Sequence, residues 1–304
     1  MKKIIVSIIL LSLIMSFSTL YSCTEKEHQK DGIKIVATLF PQYDIARNIA
    51  GDKAEIELLL PPGADSHSFD PSMQDIMRMN DADLFIYTGS QMELWSEPFA
   101  KNVPDTCTVV DVSQGIELCS VSGHDDHDHI NVDPHIWTSP VNYMKMTYTV
   151  CDSLCTVDPD NAEHYKSNTE EYVKKLEDLD EEIRSVAEDN SKKLYFGGEF
   201  AFLYFVNEYG FSYSSLYDSC SSHSEPSAKK IAEMISEMKK NGAPVIFYPE
   251  LSSAKAAKSV SQETGAKLLL LHSCHNLTEE EISSGEDYIT LMYKNLSNIK
   301  EALS

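Results

Sequence analysis

DPDNAEHYKSNTEEYVKKLEDLDEEIRSVA, residues 158–187, decides the architecture. Tyr165, Thr169, Tyr172, Leu176, Leu179, Ile183 and Val186 recur at intervals of 4, 3, 4, 3, 4 and 3. That is the period of one face of a long helix. Asp158 suits the N-cap, and proline at 159 suits the first turn. A helix of about 28 residues, at about 1.5 Å per residue, makes a rod of roughly 40 Å. Residues 193–196 follow it at once as a strand-like run, which favours a bridge between domains over a coiled coil.

On both sides of this rod the chain alternates short β-rich runs with helical patterns. Before it, residues 34–39, 55–60, 84–87 and 108–111 read as strands, and 42–49 and 72–80 as helices. After it, 193–196, 245–248 and 267–271 read as strands. Residues 199–209, 228–241, 252–264 and 287–303 read as helices, the first two stopped by Gly210 and Gly242. Strand–helix alternation predicts βα units with mostly parallel sheets. The expected fold is α/β: an N-terminal lobe over 32–157, a linking helix over 158–190 and a C-terminal lobe over 191–304.

The first 22 residues read as a leader. Lys2 and Lys3 precede a mostly apolar stretch that ends at Leu20-Tyr21-Ser22-Cys23. A small residue before a cysteine resembles the lipobox of bacterial lipoproteins. It predicts cleavage before Cys23, acylation of its thiol, and a polar tether over 23–31. The protein is then expected outside the cytoplasm, periplasmic or at the cell surface, held to a membrane by lipid. Formal charge is −23, which repels nucleic acid and anionic lipid and excludes those partners. Cysteines 107, 119, 151, 155, 220 and 274 remain after Cys23. Bridges between 107 and 119, or 220 and 274, are open in an oxidising compartment, and there is no CxxC.

The residues with metal chemistry are scattered. His67 lies in PPGADSHSFDPS, His135 in DPHIWTSP, Glu199 in GGEFAFLYF, and His272 with His275 in LLLHSCHN. Ligands of open α/β sheets bind beyond the carboxyl ends of strands, and His67, Glu199 and His272 each follow a strand-like run. Imidazole nitrogens with one carboxylate are donors for a first-row divalent ion in the cleft between the lobes. Three imidazoles and one carboxylate favour Zn²⁺; Mn²⁺ or iron enters if Glu199 binds through both oxygens and an aspartate joins. His124, His127 and His129, in GHDDHDHINVDPH, form an acidic segment able to capture an ion loosely.

PPGADSHSFDPS, DADLFIYTG, DPHIWTSP, EFAFLYFVNEYGF, SEPSAKKIAEMISEMKKNGAPVIFYPE and LMYKNLSNIKEAL closely resemble the zinc- and manganese-binding proteins of bacterial ABC importers, the cluster A-I or cluster 9 solute-binding group. The resemblance runs in order through nearly the whole chain after the leader. It implies two lobes around a backbone helix, a four-coordinate metal in the cleft, an ABC permease as partner, and transport without a chemical step. His67 matches the first ligand and His135 the second. Glu199 falls on the third position, where zinc binders often have histidine and several manganese binders glutamate. The fourth is typically an aspartate at or near a following serine; His272-Ser273 stands there instead, so His272 is expected to ligate, with His275 in reserve. The His124–His129 segment is similar to a short His-rich loop of zinc-type members, and Glu225-Pro226-Ser227 resembles a segment that shapes the cleft or hinge without ligating. Some relatives are adhesins, so adhesion is a possible second role. A metallohydrolase is the alternative from chemistry, but it needs an open coordination position, and the chain has no HExxH.

Overall fold

The computed structural model of the protein describes residues 32–121, 132–188, 191–217 and 225–304. In chain order the first sheet and its helices are β1 (Ile33–Ala37), α1 (Phe40–Ala50), β2 (Ala54–Leu58), α2 (Met73–Asn80), β3 (Leu84–Tyr87), α3 (Ser96–Ala100), β4 (Thr108–Asp111) and α4 (Pro140–Val157). The long helix is α5 (Ala162–Glu188). Then come β5 (Leu194–Phe196), α6 (Leu203–Tyr209), β6 (Tyr213–Ser215), α7 (Ala228–Asn241), β7 (Val245–Tyr248), α8 (Lys255–Thr264), β8 (Lys267–Leu270), α9 (Glu279–Ser284) and α10 (Tyr288–Leu303).

Both sheets are four-stranded and parallel, in the orders β2-β1-β3-β4 and β6-β5-β7-β8. They are the same topology used twice. Each reverses its strand order at the second and third strands in space, which is where an α/β sheet opens a crevice. The expected α/β architecture of two parallel-sheet lobes is present.

The 4-3-4-3 stripe is the buried face of α5: Tyr165, Thr169, Tyr172, Leu176, Leu179 and Ile183 are all buried. A 3-10 turn, Pro159–Asn161, precedes the helix, so the proline and Asp158 act one turn before its start. The helix packs on α4 and α1 at one side and on α10 and α6 at the other. One apolar cluster runs through it, from Ile35 and Leu84 of the first sheet to Leu194 and Phe247 of the second. The helix is therefore core to both halves, because a stripe this long can be kept from water only by elements from each.

A buried polar knot reinforces that contact. Asp44 on α1 pairs with Arg47 at 2.7 Å and accepts from the Tyr172 hydroxyl of α5 at 2.5 Å and the Tyr143 hydroxyl of α4 at 3.1 Å. The Tyr143 ring stacks on Tyr288 of α10, with centroids 3.6 Å apart.

Three expectations change. The helix predicted from residue 199 begins at Leu203, so Glu199 lies in a loop. Strand β6 and helix α9 were not predicted: β6 has only three residues, too few for a period, whereas α9 has a legible capping box between Thr278 and Glu281. Cys107 and Cys119 are free thiols, so the bridge left open between them is not formed. Cys274 is also free, and Cys220 lies outside the described residues. No described helix is long and apolar enough to cross a membrane.

Candidate metal centre

Two loops of the first half bring imidazoles together. Asp65 shapes the His67 turn: its carboxylate accepts the His67 backbone N–H at 3.0 Å and the Ser68 hydroxyl at 2.7 Å. Asp133 does the same for His135, accepting its backbone N–H at 2.8 Å, and also meets the ring Nδ1 at 2.7 Å. Asp133 and His135 are both buried. A carboxylate carries no proton, so Nδ1 is the donor and His135 keeps its lone pair on Nε2.

That Nε2 lies 3.2 Å from the Nε2 of His67. Two imidazoles on one tetrahedral ion, each bonded at about 2.0–2.1 Å, stand about 3.3 Å apart. The pair is thus spaced for a shared ion. Burial, followed by the neighbouring His135 and His275, lowers the His67 pKa to about 4. At neutral pH the His67 ring is therefore uncharged, the form that coordinates metal.

The facing wall comes from the second half. Glu199 follows β5, Glu250 follows β7 and His275 follows β8. A cavity of about 420 Å³ is lined by Asp65, His67, Glu199, Glu225, Glu250 and His275, among others. Glycine is required where this wall closes on itself. A Cβ at Gly197 would lie 2.6 Å from the Ala257 side chain, and one at Gly198 would lie 2.3 Å from the Pro249 ring. The close approach sets Glu199 beside the Glu250 loop. Leu251 and Ala254, in that loop, take left-handed backbone angles, φ 56° and 52°.

His272 and His275 point different ways, because Cys274 between them adopts φ 60° and reverses the chain. His275 faces the cavity. Its Nδ1 is 3.0 Å from Glu250 Oε1 and 2.5 Å from the Ser273 hydroxyl. His272 is buried behind it. The His272 Nδ1 faces the Cys274 N–H at 3.0 Å, its Nε2 faces Glu281 at 3.4 Å, and Asn295 clamps its backbone on both sides. The flanking carboxylate of Glu250 raises the His272 pKa against the penalty of burial. The structure therefore pairs His67 with His135, places Glu199 and His275 in the lining of the cavity that His67 shares, and leaves His272 out of that lining.

The His275 loop is tied to the first half. The Asn276 amide donates to the carbonyls of Pro61 and Ala64 at 2.8 and 2.9 Å, and the Leu277 carbonyl accepts from Gly63 N–H at 2.8 Å. The Trp137 indole donates to the Ser273 carbonyl at 2.8 Å. Among the described residues, no three His, Cys, Asp or Glu side chains are gathered tightly enough to enclose an ion as they stand.

Residues 35–302 match the family described as ZnuA, zinc-uptake complex component A, periplasmic. The chain belongs to this family. It is 34% identical over 283 residues to the high-affinity zinc uptake system protein ZnuA of Bacillus subtilis, covering 90% of this chain and 88% of that one. It is 31% identical over 319 residues to the zinc-binding protein AdcA of Streptococcus pyogenes serotype M6, covering 99% of this chain. It spans only 61% of the length of that relative. Among solved structures, the metal-dependent lipoprotein YcdH of Bacillus subtilis aligns with TM-score 0.78 and 32% identity, covering 89% of this chain and 99% of that chain. The Zn(II)-bound ZnuA-like domain of Streptococcus pneumoniae AdcA aligns with TM-score 0.77 and 30% identity, covering 90% of this chain and 99% of that chain.

In this ZnuA-family chain, Glu225 lines the cavity and Ser227 caps α7, which places the Glu225–Ser227 segment at the cleft. His124, His127 and His129, expected from sequence to capture metal loosely, and the lipidation candidate Cys23 lie outside the described residues. Sequence reading missed Glu250. The signal was available: Tyr248-Pro249-Glu250 stands at the carboxyl end of a strand, the rule that had already picked out Glu199.

Proposed function

We propose that this protein captures a divalent metal ion outside the cytoplasm, zinc before manganese or iron, and delivers it to an ABC permease. The observation that carries the reading is the His67–His135 pair, with two Nε2 atoms 3.2 Å apart. Without metal that distance is a ring-to-ring hydrogen bond, which the His67 Nε2–H can donate to the His135 Nε2; a divalent ion bound there would displace the shared proton and take both lone pairs. The proposed ligands are His67, His135, His275 and Glu199, with His275 taking the place that sequence reading gave to His272. Three neutral imidazoles and a carboxylate favour zinc over manganese, which prefers more oxygen donors. The family's role and the names of its relatives support zinc and transport. Four protein donors leave no coordination position for a catalytic water, so the role has no chemical step.

A lipid anchor at Cys23 holds the protein at the membrane in this reading, and the His124–His129 segment adds a loose site for incoming ions. Competitive titration of metal-free protein with Zn²⁺ and Mn²⁺ tests the centre. His67→Ala, His135→Ala and His275→Ala each weaken zinc binding strongly, and Glu199→Ala weakens it too. His272→Ala has the smaller effect; equal losses at 272 and 275 would overturn the assignment.

A further inference from the structure

Glu250, on the same cavity wall, is heavily engaged by neighbouring protein groups. Its side chain is 5% exposed. Oε2 accepts the Ser273 backbone N–H at 2.8 Å, and Oε1 accepts the Ser273 hydroxyl at 2.6 Å. The same Oε1 lies 3.0 Å from His275 Nδ1. The Ser273 hydroxyl has one proton, and it goes to the carboxylate. His275 Nδ1 must then be the donor, toward Glu250 and the serine oxygen together. The lone pair of His275 is left on Nε2.

The other half contains the same device. Asp133, also buried, meets His135 Nδ1 at 2.7 Å and leaves its Nε2 free to bind. Each half thus supplies an imidazole whose far nitrogen is pinned by a buried carboxylate from its own half. His272 packs behind Glu250, its Nδ1 3.6 Å from Oε1, and so backs the carboxylate from the side away from the cavity.

We propose that Glu250 is a positioning residue of the metal centre: it fixes the tautomer and orientation of His275 and does not itself bind the ion. The proposal rests on the metal-binding reading above. Both Glu250 oxygens already accept protein donors, which argues against ligation. A carboxylate behind a ligating histidine also raises the basicity of the ring, and its loss typically lowers metal affinity roughly 10- to 100-fold.

The test is zinc titration of the full chain and of Glu250→Gln, His275→Ala and the double variant, with the Co²⁺ absorption spectrum as a readout of coordination. Thermal melts of the metal-free proteins identify any variant that fails to fold. Glu250→Gln is expected to lose roughly 10- to 100-fold in zinc affinity while keeping one ion per chain and an unchanged Co²⁺ band pattern. In the His275→Ala background the same substitution is expected to add little, because its effect passes through that ring. Unchanged affinity in Glu250→Gln overturns the proposal. So does an altered Co²⁺ coordination pattern, which would make Glu250 a ligand, and so does a full additive loss in the double variant, which would make its role general stability. Failure of the metal-binding reading is separate: the unsubstituted protein would then bind no zinc, and His67→Ala would change nothing.

Discussion

Glu93→Gln should make the protein markedly more stable in mild alkali, and the size of the effect follows from where Glu93 sits. The residue is 2% exposed, below the carboxyl ends of β1 and β3. One oxygen accepts the Thr88 N–H at 2.9 Å, and the other meets the Thr38 hydroxyl. Gln42 donates to the Thr88 hydroxyl beside it. None of the described ion pairs includes Glu93. Burial therefore dominates, and it raises the carboxyl pKa from 4.5 to about 8, although the Thr38 and Thr88 hydrogen bonds pull it down. Between those two values the folded chain holds a proton that the unfolded chain has released. Stability then falls as pH rises, by about 1.4 kcal/mol per unit and ~5 kcal/mol across the whole interval. Glutamine reproduces the protonated acid: its carbonyl can accept from Thr88 N–H and its amide can donate to Thr38. Urea unfolding of both proteins without metal, from about pH 5 to about pH 9, reads the difference. The curves should nearly meet at the acid end and diverge steadily upward in favour of Glu93→Gln. Parallel curves across that range would refute the reasoning.

Three further outcomes follow from the geometry. The His67 contribution to metal-free stability should fall as pH drops from 6.5 toward 4, since its depressed pKa means that folding expels a proton there, opposing the Glu93 contribution; relative to the parent, His67→Asn should therefore gain stability steadily as pH falls through that window in a pH series of melts. Gly198→Ala should cost about 1–3 kcal/mol in denaturant unfolding, because the added methyl meets Pro249, and it should weaken zinc binding by displacing the loop that carries Glu250. Asp44→Ala should cost about 3–5 kcal/mol, as Arg47, Tyr143 and Tyr172 lose their shared buried acceptor. Its zinc affinity, measured well below the melting temperature, should stay close to that of the parent.

Local patterns were legible wherever chemistry repeats along the chain. The 4-3-4-3 stripe of α5 is a property of neighbouring residues, and so are the capped helices α2 and α7 and the apolar strands β3 and β7. The His67 and His135 turns could be read because short acidic motifs shape them from within, through Asp65 and Asp133. The split between His272 and His275 could not. Two residues separate them, and sequence spacing says nothing about which one a left-handed Cys274 turns outward.

Sequence alone therefore determined the α/β alternation, the long helix and the donors available to a metal. Tertiary structure decided which donors meet. Pairing β5 with β7 and β7 with β8 places Glu199, Glu250 and His275 on one wall, and Asn276 and Trp137 tie that wall to the loops of the first half. Such contacts join residues that can be more than 200 positions apart, as Asn276 and Pro61 are. They arise only when burial of the shared core has brought the two halves together, so no local rule in the chain can announce them.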